Sequence, residues 1–301
     1  MESSTGRADG ADPGREPLRG DGQLVRGRAR HPGAGARQPP PGRAVGRHYA
    51  HLVARALGLD LHDVTYSGAT TSDILRPSAK GQAAQLDAVT PATRLVTVTA
   101  GGNDVGYLPR LTLSSLPWPL RALPRVRAQV AGFGDPAATD ERFAGLGPSL
   151  QAIARGAREQ APDCRVLFVD YLTILPPAGT GAGTPPPAAI AEWGRSIAAR
   201  LAATTRAAAE AAGAEYVAAS VASAGHHAWS ATPWTRRFHL SLRGGAPYHP
   251  NAAGMAAVAR LVAAAVSGAP GEPGEPGEPG VPREPGVPGE PGAPEAPGGL
   301  T

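Results

Sequence analysis

Residues 94–104 read Arg94-Leu-Val-Thr-Val-Thr-Ala-Gly-Gly-Asn-Asp104, and this stretch decides the fold. Its first seven residues are rich in β-branched side chains without a turn-forming residue, which is typical of a strand buried on both faces of a parallel sheet. Two glycines, an asparagine and an aspartate follow at once. Because α/β proteins bind ligands at the carboxyl ends of parallel strands, we expect these four residues at a functional site.

Strands and helices alternate on both sides of this stretch. Arg165-Val-Leu-Phe-Val-Asp170 predicts a second buried strand, and shorter strands are predicted at residues 59–66 and 214–218. Helices are predicted over residues 49–58, 143–160, 190–212 and 251–266, and the proline-interrupted residues 111–140 are predicted to be a loop or insertion. Strands joined by long helices predict an α/β fold, a three-layer α/β/α sandwich with a parallel sheet.

The two ends of the chain differ from its middle. We expect the globular domain at residues 48–267. Residues 1–47 hold nine arginines and five acidic residues with many glycines and prolines, and they are predicted to be a disordered head. In residues 268–301 glycine recurs at every third position, with Arg283 and Glu295 breaking the period, as in collagen. Because the run is short and interrupted, a disordered tail is favoured over a triple helix.

Charge and cysteine content exclude some classes of function. The net charge of +4 equals that of residues 1–47, so the remaining chain is neutral and no nucleic-acid partner is expected. Cys164 is the only cysteine, which excludes an intramolecular disulfide. No apolar run is long enough for a transmembrane helix or resembles a signal peptide. We therefore expect a cytoplasmic monomer if the N-terminus is authentic, while secretion stays open if it is not.

Three clusters carry groups suited to ester hydrolysis: Ser67-Gly68, residues 101–104, and residues 248–251. Such a reaction needs a base for the nucleophile's proton and donors for the developing oxyanion. A histidine supplies the first, and a glycine N–H with an asparagine amide supplies the second. Each cluster alone also fits a plain role, as a helix entry, a strand-to-loop turn or the lead-in to the last helix.

In this order, the clusters resemble the sequence blocks of the SGNH (GDSL-like) hydrolases over about residues 48–266. Ser67-Gly-Ala-Thr-Thr-Ser-Asp73 resembles block II, Val96-Thr-Val-Thr-Ala-Gly-Gly-Asn-Asp-Val-Gly106 resembles block III, and His249-Pro-Asn-Ala-Ala-Gly-Met255 resembles block V. The resemblance implies a flavodoxin-like esterase or lipase that needs no metal or organic cofactor. It assigns the oxyanion donors to Gly68 and Asn103 and the general base to His249.

Two departures from the family bear on the site. Many relatives place an aspartate three residues before the histidine, where this chain has Ala246. The resemblance to members with a Ser–His dyad suggests that a backbone carbonyl near Ala246 orients the imidazole, and an aspartate elsewhere is the open alternative. Relatives also begin with an apolar strand that ends at the nucleophilic serine. Here Ser3 and Ser4 follow no strand and no other serine precedes Tyr49, so the nucleophile is unassigned and the sheet is expected to lack its first strand.

A shift of reading frame is one hypothesis for this gap. Degenerate codons for residues 19–33, read one nucleotide later, permit Val-Val-Met-Gly-Ser-Ser-Phe-Ala-Ala-Gly-Pro-Gly-Ile-Pro, which matches the family's first block. The missing serine would then be encoded across Leu24 and Val25. The alternative is an authentic disordered head on an inactive relative.

The sequence thus predicts a serine hydrolase that cleaves lipid or small acyl esters through an acyl-serine intermediate. A catalytically inactive SGNH-fold binding protein is the alternative. An interaction protein that acts through its Gly-Glu-Pro tail is a further rival.

Overall fold

The apolar run after Arg94 forms the middle strand of a five-stranded sheet in the computed structural model. The structure describes residues 23–29 by their backbone, and residues 48–66, 68–78, 81–180, 186–240 and 246–268 in full. The chain divides into the units Met1–Gly271 and Glu272–Thr301, and every described residue belongs to the first. The rest of the predicted head, the tail from residue 269 onward and Ser67 lie outside the described residues.

The sheet has the strand order β2-β1-β3-β4-β5. The strands are β1 (Gln23–Ala29), β2 (Leu59–Asp63), β3 (Leu95–Thr99), β4 (Arg165–Val169) and β5 (Glu215–Val217). β3, β4 and β5 pair in parallel, as predicted.

The helices of the described residues are α1 (Tyr49–Leu57), α2 (Thr71–Leu75), α3 (Tyr107–Ser114), α4 (Trp118–Arg121), α5 (Pro124–Gly134), α6 (Pro136–Gln160), α7 (Ala188–Ala211), α8 (Ala219–Ala222) and α9 (Ala252–Ser267). Short 3₁₀ helices occupy Gln85–Ala88 and Ala224–His226. Within the described part of the chain, no helix is both long and apolar enough to cross a membrane.

The strand β1 forms from residues for which the sequence predicted no strand. β1 lies between β2 and β3 and pairs antiparallel with both, so it alone runs against the other four strands. The expectation that the sheet lacks its first strand is therefore wrong. Leu24 and Val25 are the only large apolar residues in 23–29, and two arginines and a glycine follow them, so the sequence gave only a weak strand signal. Backbone hydrogen bonds to two neighbouring strands, in contrast, form with almost any side chain.

Alternate residues of the central strands fill two hydrophobic cores. Val166 and Phe168 of β4 pack in one core with residues of α2, α3, α6 and α7. Leu167 and Val169 pack in the other core with residues of α1 and α9. Helices thus cover both faces of the sheet, which confirms the predicted α/β/α sandwich.

Residues 111–140 are helical, which corrects the prediction of a loop. Their prolines lie in the first turns of α4, α5 and α6. A proline is tolerated there because the first N–H groups of a helix have no intrahelical acceptor. The sequence prediction interpreted these prolines as helix breakers and therefore did not identify the helices.

The start of α9 packs directly on the backbone of residues 233–236. Asn251 caps the helix by accepting a hydrogen bond from the N–H of Gly254 at 2.9 Å. A Cβ at Gly254 would overlap the carbonyl oxygen of Trp234 and also meet Leu172. Only glycine therefore allows this approach of helix to backbone.

We expect Gly254→Ala to lower the free energy of unfolding by about 1–3 kcal/mol, because the added methyl group forces α9 away from Trp234. Gly145→Ala in α6 is the matched control, since a Cβ there meets nothing within 4 Å. The control should stabilise the protein by about 0.5–1 kcal/mol through better helix propensity. Urea denaturation measures both changes, and equal effects would contradict the packing argument.

α1 and β2 are joined by a partly buried contact between a histidine and an aspartate. Nε2 of His51 lies 3.3 Å from Asp63, whose carboxylate also accepts from the N–H of Thr65 at 3.0 Å. Burial alone would raise the pKa of Asp63, but the hydrogen bonds from His51 and Thr65 outweigh burial and lower the pKa to about 2. The ionised carboxylate is thus favoured in the folded state.

A lowered folded-state pKa contributes stability above the unfolded value and loses it as the pH falls. We therefore expect Asp63→Asn to lower the free energy of unfolding by about 2 kcal/mol at neutral pH and to have little effect near pH 2. Asp163→Asn, whose side chain is 87% exposed, should change little at either pH. Urea denaturation across this range is the measurement, and a loss for Asp63→Asn that persists at low pH would refute the assignment.

Candidate active site

Asp104 ties the loop after β3 to the start of α2. Its carboxylate accepts hydrogen bonds from the N–H of Thr71 at 3.0 Å and from the Thr71 hydroxyl at 2.5 Å. Burial raises the pKa of Asp104, and the hydrogen bonds from Thr71 oppose that rise. Sequence reasoning gave Asp104 no separate role, because nothing in the sequence shows which residue it meets 33 positions away.

The two predicted oxyanion donors come from the segments that Asp104 joins. Nδ2 of Asn103 donates a hydrogen bond to the carbonyl oxygen of Ala69 at 3.0 Å. Gly68, directly before Ala69, is exposed and has φ of 77°, a left-handed conformation that favours glycine. The structure therefore brings the Gly68 and Asn103 segments together.

Tyr171 packs against the same loop from the end of β4. Its hydroxyl accepts a hydrogen bond from the N–H of Gly102 at 3.0 Å. A Cβ at Gly102 would lie 2.9 Å from the Tyr171 ring, so this contact requires glycine. The sequence analysis did not identify Tyr171 as a site residue. The one feature of the sequence that pointed to such a contact is Gly102, the second glycine of the Gly-Gly-Asn-Asp stretch.

His249 is oriented by the backbone. Its Nδ1 lies 2.8 Å from the carbonyl oxygen of Pro247, one residue from the Ala246 position to which the sequence pointed. A carbonyl only accepts hydrogen bonds, so in the neutral imidazole the proton is on Nδ1 and the lone pair is on Nε2. This tautomer is the one that lets Nε2 act as a base.

The backbone around His249 is held from both sides. The N–H of Arg236 donates to the His249 carbonyl at 2.9 Å, and Thr235 forms an antiparallel bridge with Pro250. The N–H of Asn251 then donates to the Trp234 carbonyl at 2.8 Å. His249 therefore stands on a short paired segment immediately before α9.

Tyr248 anchors this segment in the protein interior. It is 1% exposed, and its φ of 62° is a left-handed conformation that is unfavourable for a tyrosine. Its hydroxyl lies 2.5 Å from Oγ of Ser115, which ends α3. Burial raises the pKa of Tyr248 to about 12, so the hydroxyl stays protonated at neutral pH. The side chain thus links the His249 segment to the helix that follows Asn103.

A small cavity of about 40 Å³ lies between these segments and the carboxyl ends of β3 and β4. Its wall includes Thr99, Asp170, Tyr171, Tyr248 and Pro250. Tyr171 contacts the neighbour of Asn103, while Tyr248 and Pro250 flank His249. The cavity therefore adjoins the segments of both the predicted base and one predicted donor.

Asp170 stabilises the β4 side of this cavity. Its buried carboxylate accepts hydrogen bonds from the hydroxyls of Tyr216 and Ser220 at 2.5 Å and from the N–H of Ser220 at 2.8 Å. Burial raises the pKa of Asp170, and these hydrogen bonds oppose the rise. Among the described residues, no three His, Cys, Asp or Glu side chains are grouped as ligands of a metal ion would be.

A protein family and a curated lipase match this chain. The pattern of the GDSL-like Lipase/Acylhydrolase family matches residues 32–257. Lipase 2 of Streptomyces coelicolor is 35% identical over 220 residues, which cover 69% of this chain and 71% of that protein.

Two solved structures share the fold. A phospholipase A1 from Streptomyces albidoflavus NA297 matches with a TM-score of 0.58 and 22% identity over 73% of this chain and 86% of that one. An extracellular lipase from Streptomyces rimosus matches with a TM-score of 0.53 and 22% identity over 75% and 87% of the two chains.

These matches confirm the resemblance drawn from the three sequence blocks. They support a hydrolase that acts on esters. With the family pattern spanning most of its length and a lipase more than one-third identical to it, the chain belongs to the GDSL-like lipase/acylhydrolase family.

Proposed function

We propose that this protein hydrolyses carboxylic esters of lipids or small acyl compounds through an acyl-serine intermediate. His249 is the general base, and the N–H of Gly68 and Nδ2 of Asn103 are the oxyanion donors. The bond between Nδ1 of His249 and the Pro247 carbonyl is the observation that carries the proposal, because it places the imidazole lone pair on Nε2.

The reaction has two halves. A serine hydroxyl attacks the ester carbonyl while Nε2 of His249 takes its proton, and the proton then passes to the departing alcohol. Water attacks the acyl-serine in the same way, which releases the acid and restores the serine. In both halves the negative charge that develops on the carbonyl oxygen needs fixed donors. The Asn103 amide is fixed by its bond to Ala69, through one of its two hydrogens.

The nucleophile remains the unassigned part of this mechanism. Between Ser4 and Ser67 the chain contains no serine. The frame-shift hypothesis supplies one across Leu24 and Val25. In the structure the backbone of these residues pairs with Val98 and Thr97 of β3, close to the strand end that leads to Asn103. If the sequence is authentic, the absence of this serine favours the alternative function, a catalytically inactive binding protein with the same fold.

Hydrolysis of a short-chain p-nitrophenyl ester tests the role of the base. We expect His249→Ala to lower kcat about 10²–10⁴-fold, because the serine and the water lose their proton acceptor. His239→Ala is the matched control, since Nδ1 of His239 also lies near the carbonyl oxygen two residues earlier, that of Arg237, at 3.0 Å. The control should keep its turnover.

Turnover that survives His249→Ala unchanged would rule out the mechanism. No turnover from a folded chain, with folding checked by thermal unfolding, would favour the binding protein. A fluorophosphonate reagent separates these cases further because it labels activated serines. Under the frame-shift hypothesis, label appears only after residues 19–33 are replaced by the shifted reading. Label on a serine of the unreplaced chain would contradict that hypothesis.

The oxyanion role of Asn103 has its own test. Asn103→Asp keeps the size of the side chain but removes the amide donor, so we expect kcat to fall about 10²–10³-fold with a small change in KM. A role confined to holding Ala69 would instead lower the melting temperature and raise KM together. Steady-state kinetics beside thermal unfolding distinguish the two results.

A further inference from the structure

Three exposed apolar side chains lie within six residues of each other. Trp118 is 73% exposed, Leu120 is 42% exposed and Leu123 is 49% exposed. Among the described residues, the other large apolar side chains that are exposed, Val221 and Leu240, lie far along the chain. Isolated exposed apolar residues are ordinary, but a cluster of them marks an interaction surface.

The helices that carry this cluster do not build the core. Neither α4 nor α5 contains a buried residue. The stability of the domain therefore gives no reason for a tryptophan and two leucines here. Prolines at positions 117, 119 and 124 restrict the backbone, so the segment holds its shape.

The charge around the cluster is one-sided. Residues 105–134 contain four arginines and no acidic residue, whereas residues 48–301 as a whole carry 20 charges of each sign. Arg125 and Arg127 are exposed and Arg121 is half-buried. Acidic residues return at Asp135, which caps α6, and at Asp140 and Glu141, of which Asp140 pairs with Arg200. We call Trp118, Leu120 and Leu123 together with these three arginines the α4 patch.

We propose that the α4 patch binds the protein to anionic lipid surfaces. Tryptophan and leucine enter the boundary between headgroups and acyl chains, and neighbouring arginines attract anionic headgroups. The combination of apolar side chains with positive charge fits this partner better than an uncharged or basic one. A second copy of this chain would place like charges opposite each other across the interface.

The patch is connected to the candidate active site. Nη1 of Arg121 donates to the Ser114 carbonyl at 3.4 Å, and the next residue, Ser115, bonds with Tyr248 beside His249. Tyr248 also lines the cavity at the strand ends. A lipid surface bound at the patch would therefore lie close to the segment that carries the proposed base.

Cosedimentation of the full chain with vesicles tests the proposal. We expect binding to vesicles that mix phosphatidylglycerol with phosphatidylcholine, weak binding to phosphatidylcholine alone, and weaker binding at high salt. Replacing Trp118, Leu120 and Leu123 together by serine should weaken binding at least about tenfold, because their apolar area no longer leaves water. Val221→Ser with Leu240→Ser, the matched control, should bind as the unmodified chain does.

A second pair of variants separates the contribution of the patch to vesicle binding from that of the protein's net charge. Arg125→Glu with Arg127→Glu should weaken binding strongly, since each arginine near an anionic surface contributes about fivefold. Arg155→Glu with Arg260→Glu, at two exposed arginines that are not part of the patch, changes the net charge equally and should have a smaller effect. An equal loss of vesicle binding by the two pairs of Arg→Glu variants would overturn the proposal. Full binding by the serine variant would also overturn it. So would self-association that the serine variant abolishes, because it would assign the patch to a second copy.

Vesicle binding does not depend on catalysis, so this result stands apart from the proposed function. A further arm, which does rest on that function, compares an ester in solution with one embedded in vesicles. The serine variant should lose turnover of the embedded ester and keep turnover of the soluble one. Equal turnover of the embedded ester by both chains would contradict the proposal.

Discussion

The hydrogen bonds between the Asp104 carboxylate and Thr71 are the constraint on which the site depends. They join two loops that are separate in the chain, and Asn103 and Ala69 meet because of them. Burying a carboxylate costs free energy unless donors surround it. Here the N–H and the hydroxyl of one threonine offset part of that cost, and α2 begins at the same residue. The proposed oxyanion region is thus built into the start of a helix.

The segment of the proposed base is connected to this region through a second set of contacts. His249 stands on a backbone segment paired with residues 234–236, and Tyr248 reaches across to Ser115 at the end of α3. Since α3 starts shortly after Asn103, the loop with the proposed donor and the segment with the proposed base are attached to the same helix. The left-handed backbone of Tyr248 indicates that this link is maintained at a conformational cost.

The sequence predicted the parts of this structure that depend on local pattern. β3 and β4 carry continuous apolar runs, which a strand covered on both faces requires. The prolines of residues 111–140 are equally compatible with helix starts and with loops, and the pattern could not choose between them. β1 contains only two large apolar residues, Leu24 and Val25, too few to distinguish a strand from a loop. Asp104, Tyr171 and Tyr248 act through partners 33, 69 and 133 residues away, and no spacing rule identifies such pairs.

The antiparallel direction of β1 also affects where a nucleophilic serine on this strand could lie. β1 begins beside the carboxyl end of β3 and runs away from it, because Gln23 pairs with Thr99 and Gly27 pairs with Leu95. A strand parallel to β3 would instead end at this edge and deliver its last residues to the candidate site. With β1 antiparallel, only the start of the strand adjoins the site. The direction of β1 therefore agrees with the absence of a recognisable serine block. Under the proposed mechanism, the first strand is the element on which activity depends.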